Sequence, residues 1–314
     1  MVFFSLIRSE TVNKVKNGMS QIARECLKIF YKQGLDFRQG VQLPFPDAVY
    51  MSLPASVGHI VADESALKQF FENKGAGGKL LCMFCQNCVQ RRYSPENTEG
   101  LVLHDSLEFG QLKLHTDRSI FNFVNHLKDK AATSTKKELE DLETVLGFNH
   151  CPQGLLQDQF IQTILKPISS TAFDPMHIYL VSGLFQVEVT FLMERLSTAG
   201  VKQTEMHRFL QSTVWPFAVG SSGKSIANSF GKKFEDGFKC TGSEALALYP
   251  CLRLFLQLIP RERVRHIQPS IASYLNLADV LDSLRPAAAG VLQGQVLLER
   301  IRRHLLSFKV ACLI

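Results

Sequence analysis

From Pro175 onward the chain falls into five segments with helical spacing of apolar residues, at about 175 to 197, 203 to 214, 242 to 259, 269 to 284 and 287 to 308. Nothing constrains this chain more, because an apolar helical stripe is stable only when another element covers it. A helical second half is therefore expected. Between the second and third segments, Gly220-Ser221-Ser222-Gly223-Lys224-Ser225 reads as a flexible loop. Its Gly223-Lys224-Ser225 matches the end of a phosphate-binding P-loop, but Ala218 stands where the first glycine is required, and no buried strand precedes it.

The first half is more mixed. Val12, Val15, Met19, Ile22, Cys26 and Ile29 alternate steps of three and four, which predicts a helix from Ser9 to Lys32 stopped by Gly34. Residues 35 to 62 are rich in Pro and small side chains. Within them, Val57-Gly58-His59-Ile60-Val61-Ala62 reads as a short buried strand that delivers Asp63 at its carboxyl end, with a helix over 64 to 73 behind it. Lys74-Gly75-Ala76-Gly77-Gly78-Lys79 is a tight turn, and residues 86 to 116 are irregular, with Ser94-Pro95-Glu96-Asn97 as a turn. Helices resume at about 118 to 128 and 136 to 146, across an exposed connector at 129 to 137. The fold class expected is α/β, mostly helical.

With 46% hydrophobic and 20% charged residues, 314 residues bury a real core, so global disorder is excluded. The apolar start, Met1 to Ile7, has no basic residues before it and meets Arg8, Ser9 and Glu10 at once, unlike a signal peptide. Gln186 and Glu188 interrupt the apolar run 178 to 189, and Arg253 interrupts 245 to 259; neither offers the roughly 20 apolar residues a bilayer needs. A soluble intracellular protein with no membrane partner is expected, and its eight cysteines are then reduced thiols or metal ligands. Charge is uneven. Residues 1 to 200 hold 20 Lys and Arg against 21 Asp and Glu, whereas 201 to 314 hold 15 against 8, so the basic excess lies in the last third and points to a polyanion partner.

Three constellations can carry chemistry. In Cys82-Met83-Phe84-Cys85-Gln86-Asn87-Cys88, two thiolates separated by two residues can face one zinc ion, with Cys88, His104, His115, Cys151 and His177 as candidates to complete it. Free cysteines beside Met83 and Phe84 are equally well explained as small buried hydrophobes. In Asp174-Pro175-Met176-His177, Pro175 suits the first helical position and Asp174 its N-cap, and the carboxylate and imidazole can also face one way for metal chemistry. Asp63 sits where α/β proteins place catalytic groups, and it is also a cap for the helix at Glu64. Glu244 opens an apolar helix, where an acid is favourable electrostatics.

In their order, Gly58-His59-Ile60-Val61-Ala62-Asp63-Glu64-Ser65-Ala66, Lys74-Gly75-Ala76-Gly77-Gly78, Cys82-x-x-Cys85, and Asp174-x-Met176-His177 with Gly183 following resemble the middle of DDE-type DNA transposases of the CACTA (En/Spm) and Plavaka-like kind. Phe238 to Leu246 resembles that family's helix bearing a late acidic residue. The resemblance implies a partial RNase H-like core over 1–80, a cysteine-containing insertion with helices and bound zinc over 81–173, and a helical, basic part over 174–314. It further implies phosphoryl transfer through Mg²⁺ ions held by carboxylates, with DNA as partner and a nuclear location. Asp63, Asp174 and Glu244 would be the catalytic acids, and Cys82, Cys85 and His177 metal ligands. Family members carry an aspartate on an upstream first strand. The acids before Asp63, namely Glu10, Glu25, Asp36 and Asp47, do not end a convincing strand, so a core truncated at both ends and inactive on its own is expected. Two other readings fit the same residues: a zinc-containing, non-enzymatic nucleic-acid-binding protein contacting phosphates through Arg261, Arg263, Arg265, Arg302 and Arg303, and a helical interaction scaffold.

Overall fold

The computed structural model describes residues 12–15, 18–32, 36–44, 50–90, 100–104, 109–234 and 237–312, and the chain divides into two units, Met1–Phe173 and Asp174–Ile314. As the helical spacing of apolar residues predicts, the described residues are mostly helical with small sheets, each of two strands.

In the first unit, helix α1 spans Gly18–Tyr31, with Gly18 at φ +46°. The predicted start at Ser9 and the stop at Gly34 lie outside the described residues. Strands β1 (Val41–Pro44) and β2 (Tyr50–Leu53) pair antiparallel. Strand β3 (Ile60–Ala62) is shorter than the 57 to 62 run, and it is half-open rather than buried: Ile60 and Ala62 pack on the core while Val61 is exposed. Helix α2 (Glu64–Phe71) follows, then a 3-10 turn at Gly75–Gly77. Strands β4 (Cys88–Val89) and β5 (Val102–Leu103) pair in parallel within the stretch expected to be irregular, and the turn at 94 to 97 lies outside the described residues.

Helices α3 (Asp117–Ala131) and α4 (Lys136–Leu146) both start with reciprocal capping boxes, Thr116 with Ser119 and Thr135 with Glu138, which satisfy backbone N–H groups that a helix start leaves unpaired. After the short helix α5 (Ile161–Ile164), strand β6 (Thr171–Phe173) pairs in parallel with β3, in the register Ile60↔Thr171, Val61↔Ala172 and Ala62↔Phe173. Leu67 and Phe71 from α2 share one core with Met83, Ile120, Leu127 and Phe148. Residues on both sides of position 80 therefore belong to one packed unit.

The second unit is a set of helices around a single core: α6 (Pro175–Tyr179), α7 (Leu184–Thr198), α8 (Gln203–Ser212), α9 (Gly220–Ser229), α10 (Gly242–Leu258), α11 (Gln268–Ala288) and α12 (Gly294–Cys312). Three corrections to the sequence reading arise here. The single helix expected over 175 to 197 is two, broken where Ser182 takes φ 54° ahead of Gly183. The loop expected at 220 to 225 is the start of α9, with Ile226, Ala227 and Phe230 buried, and a Cβ at Gly223 would lie 2.2 Å from the Trp215 ring. The absent side chain is what lets the indole dock, so this glycine serves packing rather than flexibility. Finally, α11 runs on to Ala288 and α12 starts at Gly294, past a turn at Gly290 with φ +70°.

Phe185, Val189, Leu192 and Leu196 of α7 are fully buried against Leu248, Tyr274 and Leu277. That burial accounts for the composition of Pro175–Thr198, a stretch of the described residues long and apolar enough to cross a membrane. Inside the same core, the Nε2 of His304 donates to Glu188 Oε2 at 2.6 Å, and the Ser273 hydroxyl donates to Glu188 Oε1 at 2.5 Å, tying α7, α11 and α12 together.

Candidate functional site

Asp63 is the first residue beyond β3 and Asp174 the first beyond β6, and the two strands end in register at Ala62↔Phe173. The parallel ladder thus delivers both acids at its carboxyl end, where open α/β sheets place ligand groups. Each is also an N-cap. Asp63 Oδ1 accepts the Ala66 N–H at 2.7 Å, and Asp174 Oδ1 accepts the Met176 N–H at 2.9 Å. His177, one helical turn further on, donates from Nδ1 to Asp174 Oδ2 at 2.6 Å. That imidazole, aided by the Met176 N–H, holds Asp174 below the usual carboxylate range despite partial desolvation. Capping and presentation of an ionised carboxylate are the same geometry here.

Two glycine features of the sequence find physical reasons. A Cβ on Gly183 would lie 2.2 Å from the Ile178 carbonyl oxygen and 2.4 Å from that of His177, so only glycine fits against the last turn of the helix that carries Asp174 and His177. The 74 to 79 turn docks on the end of α4: the Lys74 N–H and the Asn73 amide both donate to the Gly147 carbonyl, at 2.8 and 3.0 Å, and the Lys79 N–H donates to Thr144. A Cβ on Gly147, which has φ +76°, would meet the Leu80 carbonyl oxygen at 2.5 Å.

The cysteine cluster forms a knuckle beside this turn. The Cys85 N–H donates to the Cys82 carbonyl at 3.3 Å, closing a tight turn. The neighbouring Cys85 thiol and the backbone of Phe84 and Cys85 draw the Cys82 pKa down to about 6, and the same pairing pushes Cys85 up. Burial raises Cys88 on β4. His115 donates its backbone N–H to Phe84 at 2.8 Å, but its buried ring pairs with Ser119 Oγ at 2.9 Å, and burial lowers its pKa to about 4. Cys151 is bonded to Glu72, and burial raises it to about 12. His104 is exposed, and His177 stands with Asp174 on α6. Among the described residues no three His, Cys, Asp or Glu side chains converge as a metal ligand set. Tetrahedral zinc takes four ligands, so Cys82 and Cys85 by themselves do not fit it.

Glu244 lies elsewhere, 5% exposed in the first turn of α10. Burial raises its pKa, but the Thr241 N–H, the Ser225 hydroxyl at 2.7 Å and Lys233 Nζ at 3.0 Å outweigh that and hold it ionised. Both carboxylate oxygens are thus engaged inside the second unit. The Ser225 and Lys233 partners are not visible in the sequence, although Thr241-x-x-Glu244 is the pattern of a capping box.

The arginines divide in two. Arg263 is committed to a bidentate pair with Glu205, at 2.8 Å to each oxygen, and to the Gly200 carbonyl, and it pulls Glu205 down to about 2. Arg261 and Arg265 are exposed and line a groove of about 650 Å³ with Gln257, Gln268, Ile259 and Ile271. Arg302 and Arg303 are exposed on α12. Comparison with protein-family models, with curated proteins and with solved structures finds no match for this chain.

Proposed function

We propose that this chain is a transposase-derived protein with a partial RNase H-like core, that it binds DNA in the nucleus, and that it does not cut DNA on its own. The observation that carries the reading is the β3–β6 pair, parallel and in register, with Asp63 and Asp174 as the first residues past its two strands. The carboxyl end of parallel strands is where open α/β sheets set their ligand groups. The ordered motifs of the sequence supply the rest of the support.

Hard carboxylate oxygens suit Mg²⁺, which keeps several waters and is commonly held by one or two carboxylates together with substrate phosphates. When bound, such an ion stabilises charge on a phosphodiester oxygen. On this reading Asp63 and Asp174 are the carboxylates that the order of the motifs assigns to such ions. His177 keeps Asp174 ionised and oriented through its 2.6 Å bond, and Gly183 lets that turn close. A third carboxylate is what the reading lacks: Glu244 is tied to Lys233, Ser225 and Thr241, so the ion would depend on DNA phosphates for retention, and catalysis is absent.

DNA contact is assigned to Arg261, Arg265, Arg302 and Arg303, with Arg263 left out because Glu205 holds it. Binding of a labelled duplex across a salt series tests this. Affinity is expected to fall steeply with salt, and each of Arg261→Ala, Arg265→Ala, Arg302→Ala and Arg303→Ala that removes a phosphate contact reduces the log–log slope by about 1. Absent or salt-insensitive binding overturns the assignment.

A further inference from the structure

We infer that Cys82 and Cys85 form a reversible dithiol–disulfide pair that exchanges with a small disulfide of the glutathione class, Cys82 being the attacking sulfur. The assignment rests on geometry and is independent of the DNA reading. The Cys85 N–H···O=C bond to Cys82 closes a four-residue turn, which brings the two Cα atoms within roughly 7 Å, inside the reach of a disulfide. Cys82 is partly exposed while Cys85 is buried, so Cys82 is the sulfur that an incoming disulfide meets first. A cavity of about 180 Å³ lies beside it, lined by Cys82, Met83, Phe173, Asn73, Glu64 and Lys68. Among the described residues no third metal ligand joins this pair.

The chemistry balances without a further reagent. Cys82 thiolate attacks one sulfur of the incoming disulfide, whose S–S bond breaks and releases one thiolate. Cys85 then gives up its proton and attacks the Cys82 sulfur of the mixed disulfide, releasing the second half. The chain loses two electrons to the disulfide, which becomes two thiol equivalents, the Cys85 proton passing to one of them. Excess thiol reverses both steps.

The test uses the intact chain with oxidised glutathione, followed by peptide mapping under non-reducing conditions. The expected product is a Cys82–Cys85 bond. Cys85→Ser should arrest the reaction as a glutathione adduct on Cys82, and Cys82→Ser should leave Cys85 unmodified. Cys88→Ser should react like the native chain. Three results overturn the inference: no oxidation of the folded native chain, adduct formation on Cys85 in preference to Cys82, or zinc retained by the chain through purification that blocks both thiols.

Discussion

Replacing Glu188 by alanine is expected to destabilise the chain by about 3 kcal/mol, the upper range for leaving buried hydrogen-bond donors without their acceptor. Glu188 and His304 are each 2% exposed, and Ser273 donates to the same carboxylate. Truncation leaves an imidazole N–H and a hydroxyl facing a void in the middle of α7, α11 and α12, both without their acceptor. A surface pair provides the contrast. Lys136 and Glu140 have side chains 90% and 59% exposed, and breaking that bridge should cost about 0–1 kcal/mol. The double variant Glu188→Leu with His304→Leu should regain most of the loss, because well-packed apolar groups of similar volume replace a buried pair at little cost. Urea unfolding of the single and double variants measures all three. A Glu188→Ala loss under about 1 kcal/mol would mean that the buried pair is not formed as described.

Gly183→Ala is the second large effect, expected to cost about 1–3 kcal/mol as overpacking against atoms that cannot rotate away. The new methyl would sit 2.2 Å from the Ile178 carbonyl oxygen and 2.4 Å from that of His177, so backbone must move. The segment that moves is α6, which carries Met176 and His177, the two donors to Asp174. Disorder should therefore appear in the His177 ring resonances as well as in the melting temperature. Gly58→Ala is the control, since a methyl there meets nothing within 4 Å. A Gly183→Ala chain as stable as the Gly58→Ala chain would contradict the packing at α6.

Much of this molecule can be read from local pattern. Helices α3, α4, α8 and α10 announce themselves through apolar spacing and caps, and Asp63 and Asp174 sit at helix starts where short-range rules place an acid. What escapes is long-range or too short to leave a period. Strand β6 has three residues, and only its pairing with β3 defines it. The helix at 220 to 229 hides behind two glycines, because the docking of Trp215 on Gly223 is a tertiary contact that overrides propensity. The Glu188–His304 bond joins residues 116 apart, and nothing local marks either as buried. Arg263 looks like its exposed neighbours in the sequence, yet Glu205 withdraws it from any phosphate.

Divalent-ion binding by the intact chain in the presence of a short DNA duplex bears most directly on the proposed centre at the carboxyl end of β3 and β6. Mn²⁺ can be followed by its paramagnetic effect while the duplex is checked for nicks. The expected result is a saturable Mn²⁺ site that tightens when duplex is present, weakens about tenfold or more, roughly 1.4 kcal/mol, in Asp63→Asn and in Asp174→Asn, and accompanies an uncut duplex. Mn²⁺ affinity unchanged in both variants would contradict the metal centre, and Mn²⁺-dependent nicking lost in Asp63→Ala would contradict its inactivity.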